Sequence, residues 1–155
     1  MYDRILVPTD GSPGMDRVVD HAVDLAAIHD ADLHLIYVVN SAGYAGLPGE
    51  SAVESLGSML QEQGETALDR AAERIEDVPT ERVLANGAPS TEIVDHATEE
   101  GCDLIVMGTH GRGGIDRLLL GSVAERVVRT ATVPVLTIRV QDGERDGENT
   151  EDGTT

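Results

Sequence analysis

Five short apolar runs punctuate the chain: Arg4–Val7, Leu33–Val39, Arg82-Val83-Leu84-Ala85, Leu104-Ile105-Val106-Met107 and Val135–Arg139. Runs this short and this continuous fit strands covered on both faces, as in a parallel sheet. Between them the apolar positions change period. Val18, Ala22, Leu25 and Ala26, with Val19 and Val23 beside them, recur at helical spacing up to about His29-Asp30. Leu56, Leu60, Ala67, Leu68, Ala71 and Ile75 predict a long helix starting near Ser51. Ile93, Val94 and Ala97 predict a third, opening at Pro89 or Ser90 and stopped by Gly101, and the last runs from about Ser122 to Thr130. Ser12 followed by Pro13 reads as the first helix start, since serine caps and proline suits the first turn. Ser41–Glu50, rich in Gly, Ala and Ser, reads as a mobile loop. Strict alternation of strand and helix predicts right-handed βαβ units and an α/β fold with a doubly wound, open five-stranded parallel sheet.

Composition narrows the function. The chain has 155 residues and a net charge of −18, and all eleven basic residues are arginine. With no basic footprint, nucleic acid is an unexpected partner. A lysine-free acidic surface points to a salty cytoplasm, where salt screens the self-repulsion of a carboxylate shell; an acidic protein from an ordinary host is the alternative. Residues 141–155 hold no apolar side chain, six acids and Arg145. They predict a disordered acidic tail after a single domain over 1–140. Outside the tail, 23 acids face 10 arginines, leaving −13. The amino-terminal residues enter a strand pattern directly, so no signal peptide, membrane span or membrane partner is expected, and the expected location is the cytoplasm. Cys102, the sole cysteine, has no partner for an internal disulfide and reads as a small residue near a helix–strand junction. His21, His29, His34 and His96 are scattered, with no metal-ligand spacing.

The candidate chemistry lies in Gly108–Ser122, a glycine-rich turn joining the fourth strand to the last helix. Glycines let the backbone approach a ligand, and a helix N-terminus offers free N–H groups and partial positive charge to phosphate. A P-loop is excluded because it needs a lysine. A dinucleotide fingerprint is excluded because Asp116 stands where the third glycine belongs after Gly111 and Gly113. What remains is Gly108-x2-Gly111-x9-Gly121-Ser122.

That spacing resembles the ATP-binding signature of the universal stress protein (UspA-like) family, in its ATP-binding branch. The resemblance is reinforced by Ile5-Leu6-Val7-Pro8-Thr9-Asp10-Gly11-Ser12 and by Val133-Pro134-Val135-Leu136, and it runs from residue 2 to about 139. It implies strand order 3-2-1-4-5 in a Rossmann-like fold of the adenine-nucleotide alpha-hydrolase type. The turns after the first and fourth strands would then face one crevice, at the switch point where such sheets bind ligands. It also implies ATP, with Mg²⁺ or Mn²⁺ held through the phosphates, and a homodimer formed through the last strand. The adenosine would lie against Pro8, Thr9, Asp10 and the backbone of Val38. The phosphates would lie on Gly108, His110, Gly111, Arg112, Gly113, Gly114 and Gly121, and on the amides of Ser122, Val123 and Ala124, and Met107 would also belong to the nucleotide site.

Several of these residues carry a second reading. Ser122-Val123-Ala124-Glu125 is a capping box in its own right. Asp10 is a turn-forming residue of the kind that bonds the backbone two positions on. Arg112 and Arg117 fit a phosphate fork and an exposed arginine equally well. His110 has no second catalytic group at a defined distance. Three functions stay open at this point: an ATP-binding stress switch with slow or no hydrolysis, an adenine-nucleotide enzyme such as an ATPase or nucleotidyl transferase, and a stress interaction module that binds no nucleotide. His-x-Gly-His and Ser-Gly-Gly-x-Asp-Ser, the motifs of such enzymes, are both missing.

Overall fold

The computed structural model describes residues 1–41, 46–110 and 120–140. Five strands alternate with four helices: β1 Arg4–Pro8, α1 Met15–His29, β2 Asp32–Val39, α2 Glu50–Glu73, β3 Thr80–Asn86, α3 Pro89–Glu99, β4 Leu104–Gly108, α4 Ser122–Thr130 and β5 Val135–Ile138. The strands form one sheet in the order β3-β2-β1-β4-β5, every pairing parallel. β1 is central, and the winding reverses between β3 and β4. The doubly wound arrangement and its order are as expected.

Period-two alternation decides which face each strand residue serves. Ile5, Leu6 and Val7 are fully buried, but they serve different cores. Ile5 and Val7 join Leu33, Leu35, Tyr37, Leu104 and Val106 beneath α1 and α2. Leu6 joins Ile36, Ile105 and Met107 beneath α3 and α4. The apolar stripe of each helix, such as Val18, Val19, Ala22 and Ala26 in α1, closes its core. Residues buried in α2 are Gly64, Ala67, Leu68 and Ala71, all in its second half. There an added Cβ on Gly64 would stand 2.6 Å from Leu84 Cδ1 and 2.7 Å from Tyr37 Cδ1, so the missing side chain sets how closely the helix lies.

The structure corrects several boundaries and both capping assignments. β3 extends beyond 82–85 at both ends; its first residues, Thr80 and Glu81, are exposed and leave no apolar trace. β5 stops one residue short of Arg139. Ser12 does not cap α1. The helix begins at Met15 behind Gly14, so Pro13 precedes its first turn. Ser12 instead belongs to the preceding turn, where its amide donates to Asp10 Oδ1 at 2.9 Å and its carbonyl accepts from Met15 N–H at 3.1 Å. Ser122 is likewise no cap: Gly121 holds that position, no side chain caps the helix, and Glu125 pairs with Arg129. The capping box fails because the helix already includes Ser122 as its first residue. No helix among the described residues is long and apolar enough to cross a membrane. The expected tail over 141–155 and positions 42–45 of the expected loop lie outside the described residues.

Candidate functional site

The carboxyl ends of β1, β2 and β4 open into one cavity of about 470 Å³. One wall is the turn after β1. Thr9 N–H donates to Ile36 O at 2.9 Å, which fastens this turn to β2. Two side chains then fold the backbone locally: Thr9 Oγ1 accepts from Gly11 N–H at 3.2 Å, and Asp10 Oδ1 accepts from Ser12 N–H. Gly11 has φ +77, the left-handed conformation that this tight turn needs and that glycine adopts freely. The turn-forming reading of Asp10 is therefore observed, and Asp10 lines the cavity as well.

The opposite wall is the junction of β4 with α4, and Thr109 is its hub. Its N–H donates to Ile138 O at 2.9 Å, its carbonyl accepts from Gly121 N–H at 2.7 Å, and its Oγ1 lies 3.1 Å from His110 Nδ1. Gly108 permits a close approach: a Cβ there would stand 2.6 Å from Val140 Cγ2. At the start of α4, Glu125 N–H is the first to find an intrahelical acceptor, Gly121 O at 2.9 Å. The amides of Ser122, Val123 and Ala124 precede it, and helix geometry gives them no partner within the helix. All three residues line the cavity. The macrodipole adds partial positive charge at that point. An otherwise strongly acidic chain thus turns a cluster of N–H donors toward a concave, partly apolar space, an arrangement suited to an anionic ligand.

Of the expected site residues, Pro8, Thr9, Asp10, Val38, Met107, Gly108, His110, Gly121, Ser122, Val123 and Ala124 all line this one cavity. Gly111, Arg112, Gly113 and Gly114 lie outside the described residues, as does Arg117. His110 Nε2 is buried and has no hydrogen-bond partner among the described residues. Sequence reasoning missed Met15, Ile36, Tyr37, Asn40, Pro89, Ile93 and Thr109, which complete the lining. Asn40 and Pro89 had a usable signal, since one directly follows β2 and the other closely trails β3, at the carboxyl edge of the sheet where such folds bind ligands. Asp10 is the one carboxylate among the described lining residues, so a hard divalent cation would find too few protein oxygens for a cage and would depend on a ligand's own.

The reading of the histidines as scattered is corrected. His34 and His96 stand 62 residues apart in sequence, yet His34 Nδ1 lies 3.0 Å from His96 Nε2. They meet at the other end of the sheet, away from the cavity.

Comparison with known proteins gives one answer. The universal stress protein family matches residues 1–139. Universal stress protein MJ0531 of Methanocaldococcus jannaschii is 40% identical over 141 residues, covering 90% of this chain and 83% of that protein. Among solved structures, MJ0577, from the same organism, superposes with a TM-score of 0.81 at 28% identity, covering 92% of this chain and 99% of that one. A universal stress protein in complex with cAMP superposes with a TM-score of 0.62 at 30% identity, covering 90% and 98%. Sheet order, crevice and family match agree: the chain belongs to the universal stress protein family.

Proposed function

We propose that the crevice binds an adenine nucleotide, ATP foremost, and that the protein is a nucleotide-dependent stress-response switch or binding module with slow or no hydrolysis. One observation carries this reading. The three first-turn amides of α4, at Ser122, Val123 and Ala124, share a cavity with Asp10 and Val38 on the facing wall. That pairing offers phosphate donors on one side and a nucleoside wall on the other, as Gly108–Gly114 and the β1 turn were expected to supply. Mg²⁺ or Mn²⁺, held through the phosphates, would neutralise their charge. The relative solved with cAMP supports an adenine ligand in this fold.

Slow turnover follows from what lines the cavity. The chain has no lysine. Among the described lining residues the acid–base candidates are only Asp10, whose Oδ1 accepts from Ser12 N–H, and His110, whose Nδ1 lies against Thr109 Oγ1 while its Nε2 has no partner among the described residues. Residues 1–140 act as one domain in this reading, with 141–155 as an acidic tail. Among the described residues β5 pairs on one side only, with β4, and that edge suits pairing with a second copy. The acidic shell suits a salty cytoplasm.

The test begins with full-length protein purified in high salt, denatured, and its released small molecules identified by mass spectrometry. ATP, ADP and cAMP are then titrated calorimetrically into emptied protein with and without Mg²⁺. Adenine-nucleotide binding with one site per chain is the expected result. A folded sample that binds none of the three rejects the reading. Preference for cAMP over ATP would replace the ATP assignment with a cyclic-nucleotide one. Steady release of phosphate with turnover would move the protein to the enzyme class.

A further inference from the structure

At the amino ends of the strands, opposite the crevice, His34, His96 and Cys102 converge beneath α3. Their ligand atoms all lie within 4.8 Å of one another, with His34 and Cys102 buried and His96 half-buried. Three separate features of the fold bring them together. Parallel register places His34 of β2 between Leu6 of β1 and Glu81 of β3, facing the α3 side of the sheet. His96 occupies the last turn of α3. Gly101, at φ +68, then turns the chain left-handed, and Cys102 N–H donates to Ala97 O at 2.9 Å. That six-to-one bond is the Schellman closure of a helix end, and it folds Cys102 back toward His96.

We propose that His34 Nδ1, His96 Nε2 and Cys102 Sγ form a binding site for one zinc-class divalent cation. Two imidazole nitrogens and one thiolate are a ligand set that zinc accepts. Nitrogens sharing a tetrahedral zinc stand roughly 3.3 Å apart, given Zn–N bonds of about 2.05 Å. The observed 3.0 Å needs only a small opening. The outer shell is already in place: Glu81 Oε2 lies 3.3 Å from His34 Nε2, the nitrogen that would not bind metal. A carboxylate on the far nitrogen fixes the tautomer that leaves Nδ1 free as ligand and raises its basicity. The charges acting on the site are Glu81, Glu100 and Asp103 against the single guanidinium of Arg4, a balance that favours a cation. Half-buried His96 provides an entry path from solvent. Burial keeps His34 below the ordinary imidazole range, in its neutral ligating form, and pushes the Cys102 thiol up to about 11, so the thiol stays protonated until a cation displaces its proton.

Cobalt(II) distinguishes this site from the many surface carboxylates, because only a thiolate ligand gives a sulfur-to-cobalt charge-transfer band. Cys102 is the only cysteine, so such a band identifies its ligand directly. Reduced, chelator-treated full-length protein is titrated with CoCl₂ and then with ZnCl₂. The expected result is a tetrahedral cobalt spectrum with a thiolate band saturating at one equivalent per chain and abolished by zinc. His96→Gln should weaken cobalt at least ten-fold, and Cys102→Ser should remove the band. No thiolate band from the folded wild-type protein overturns the proposal, whether or not the variants fold. Saturation at half an equivalent, which would mean one cation shared by two chains, or a His96→Gln titration identical to wild type, overturns it too.

Discussion

The amide of Gly121 donates to the carbonyl of Thr109 at 2.7 Å, so two residues twelve positions apart are pinned together where β4 ends and α4 begins. Thr109 is itself held to Ile138 of β5. The start of α4 is therefore fixed to the sheet independently of the segment between. Its open amides are aimed by the scaffold and are in place before any ligand arrives, the kind of preorganisation that reduces the cost of binding.

This geometry makes Gly121 the place to test the crevice. Its φ of −65 and ψ of 164 are extended and open to any residue, so a side chain there strains no backbone. Gly121 lines the cavity, so a bulky residue there is expected to crowd the ligand space. Gly121→Leu puts a poor N-cap residue in place of glycine, so a modest loss of stability, up to about 1 kcal/mol, is expected alongside an ATP affinity weakened by at least about ten-fold, equivalent to about 1.4 kcal/mol. Calorimetry on the folded variant decides; undiminished affinity would place any nucleotide elsewhere.

Gly64→Ala sets two effects against each other. Alanine in mid-helix gains about 1 kcal/mol of propensity over glycine. The new Cβ meets Leu84 Cδ1 at 2.6 Å and Tyr37 Cδ1 at 2.7 Å. The leucine methyl can rotate away, but Cδ1 of a buried tyrosine ring cannot move alone, and overpacking costs roughly 1–3 kcal/mol. Net destabilisation of about 1 kcal/mol is expected in urea unfolding. A stabilised variant would show that α2 shifts freely on the sheet.

Ile105→Ala probes the second core. Ile105 is fully buried in β4 between β1 and β5. Removing three carbons from such a site costs roughly 2–5 kcal/mol. Chemical denaturation should show a loss in that range, with an unchanged slope against denaturant.

Salt should stabilise the fold. Raising ionic strength from 0.1 to 1 M shortens the screening length from about 10 to about 3 Å. It weakens both the repulsion behind a net charge of −18 and the ion pairs Arg70–Asp16, Arg74–Asp20 and Arg82–Asp69. Exposed pairs of this kind contribute little singly, so the repulsion decides. Differential scanning calorimetry across that range should show a rising midpoint, and a falling one would mean that the arginine network dominates.

Ile5, Leu6 and Val7 show why the sheet was legible in the sequence. A strand buried on both faces leaves an unbroken apolar run, and the doubly wound sheet supplies the two cores that bury it. The cavity was legible for a related reason: Pro8–Asp10, Gly108 and Gly121–Ala124 follow strands or open a helix, so topology alone carries them to one place. Ser12 and Ser122 misled because a serine before an apolar stripe signals a cap and a turn alike, and only the hydrogen bonds separate them. His34 and His96 were illegible together. Their meeting depends on strand register and on a left-handed glycine, neither of which leaves a spacing in one sequence.

The position of burial along α2 has a dynamic consequence. At 1.5 Å per residue its 24 residues span about 36 Å, whereas the eight of β2 span about 26 Å. Its buried residues, Gly64, Ala67, Leu68 and Ala71, all lie in its second half, and of its first half Leu60 packs partly buried against the same core. Amides near Ser51–Ser58 should exchange with deuterium far faster than those near Ala67–Ala71, because no residue of that stretch is fully buried. Stiffness is thereby graded along α2, firm where Ala67–Ala71 meet the sheet and compliant toward its start, while the crevice wall at Gly121 stays pinned through Thr109.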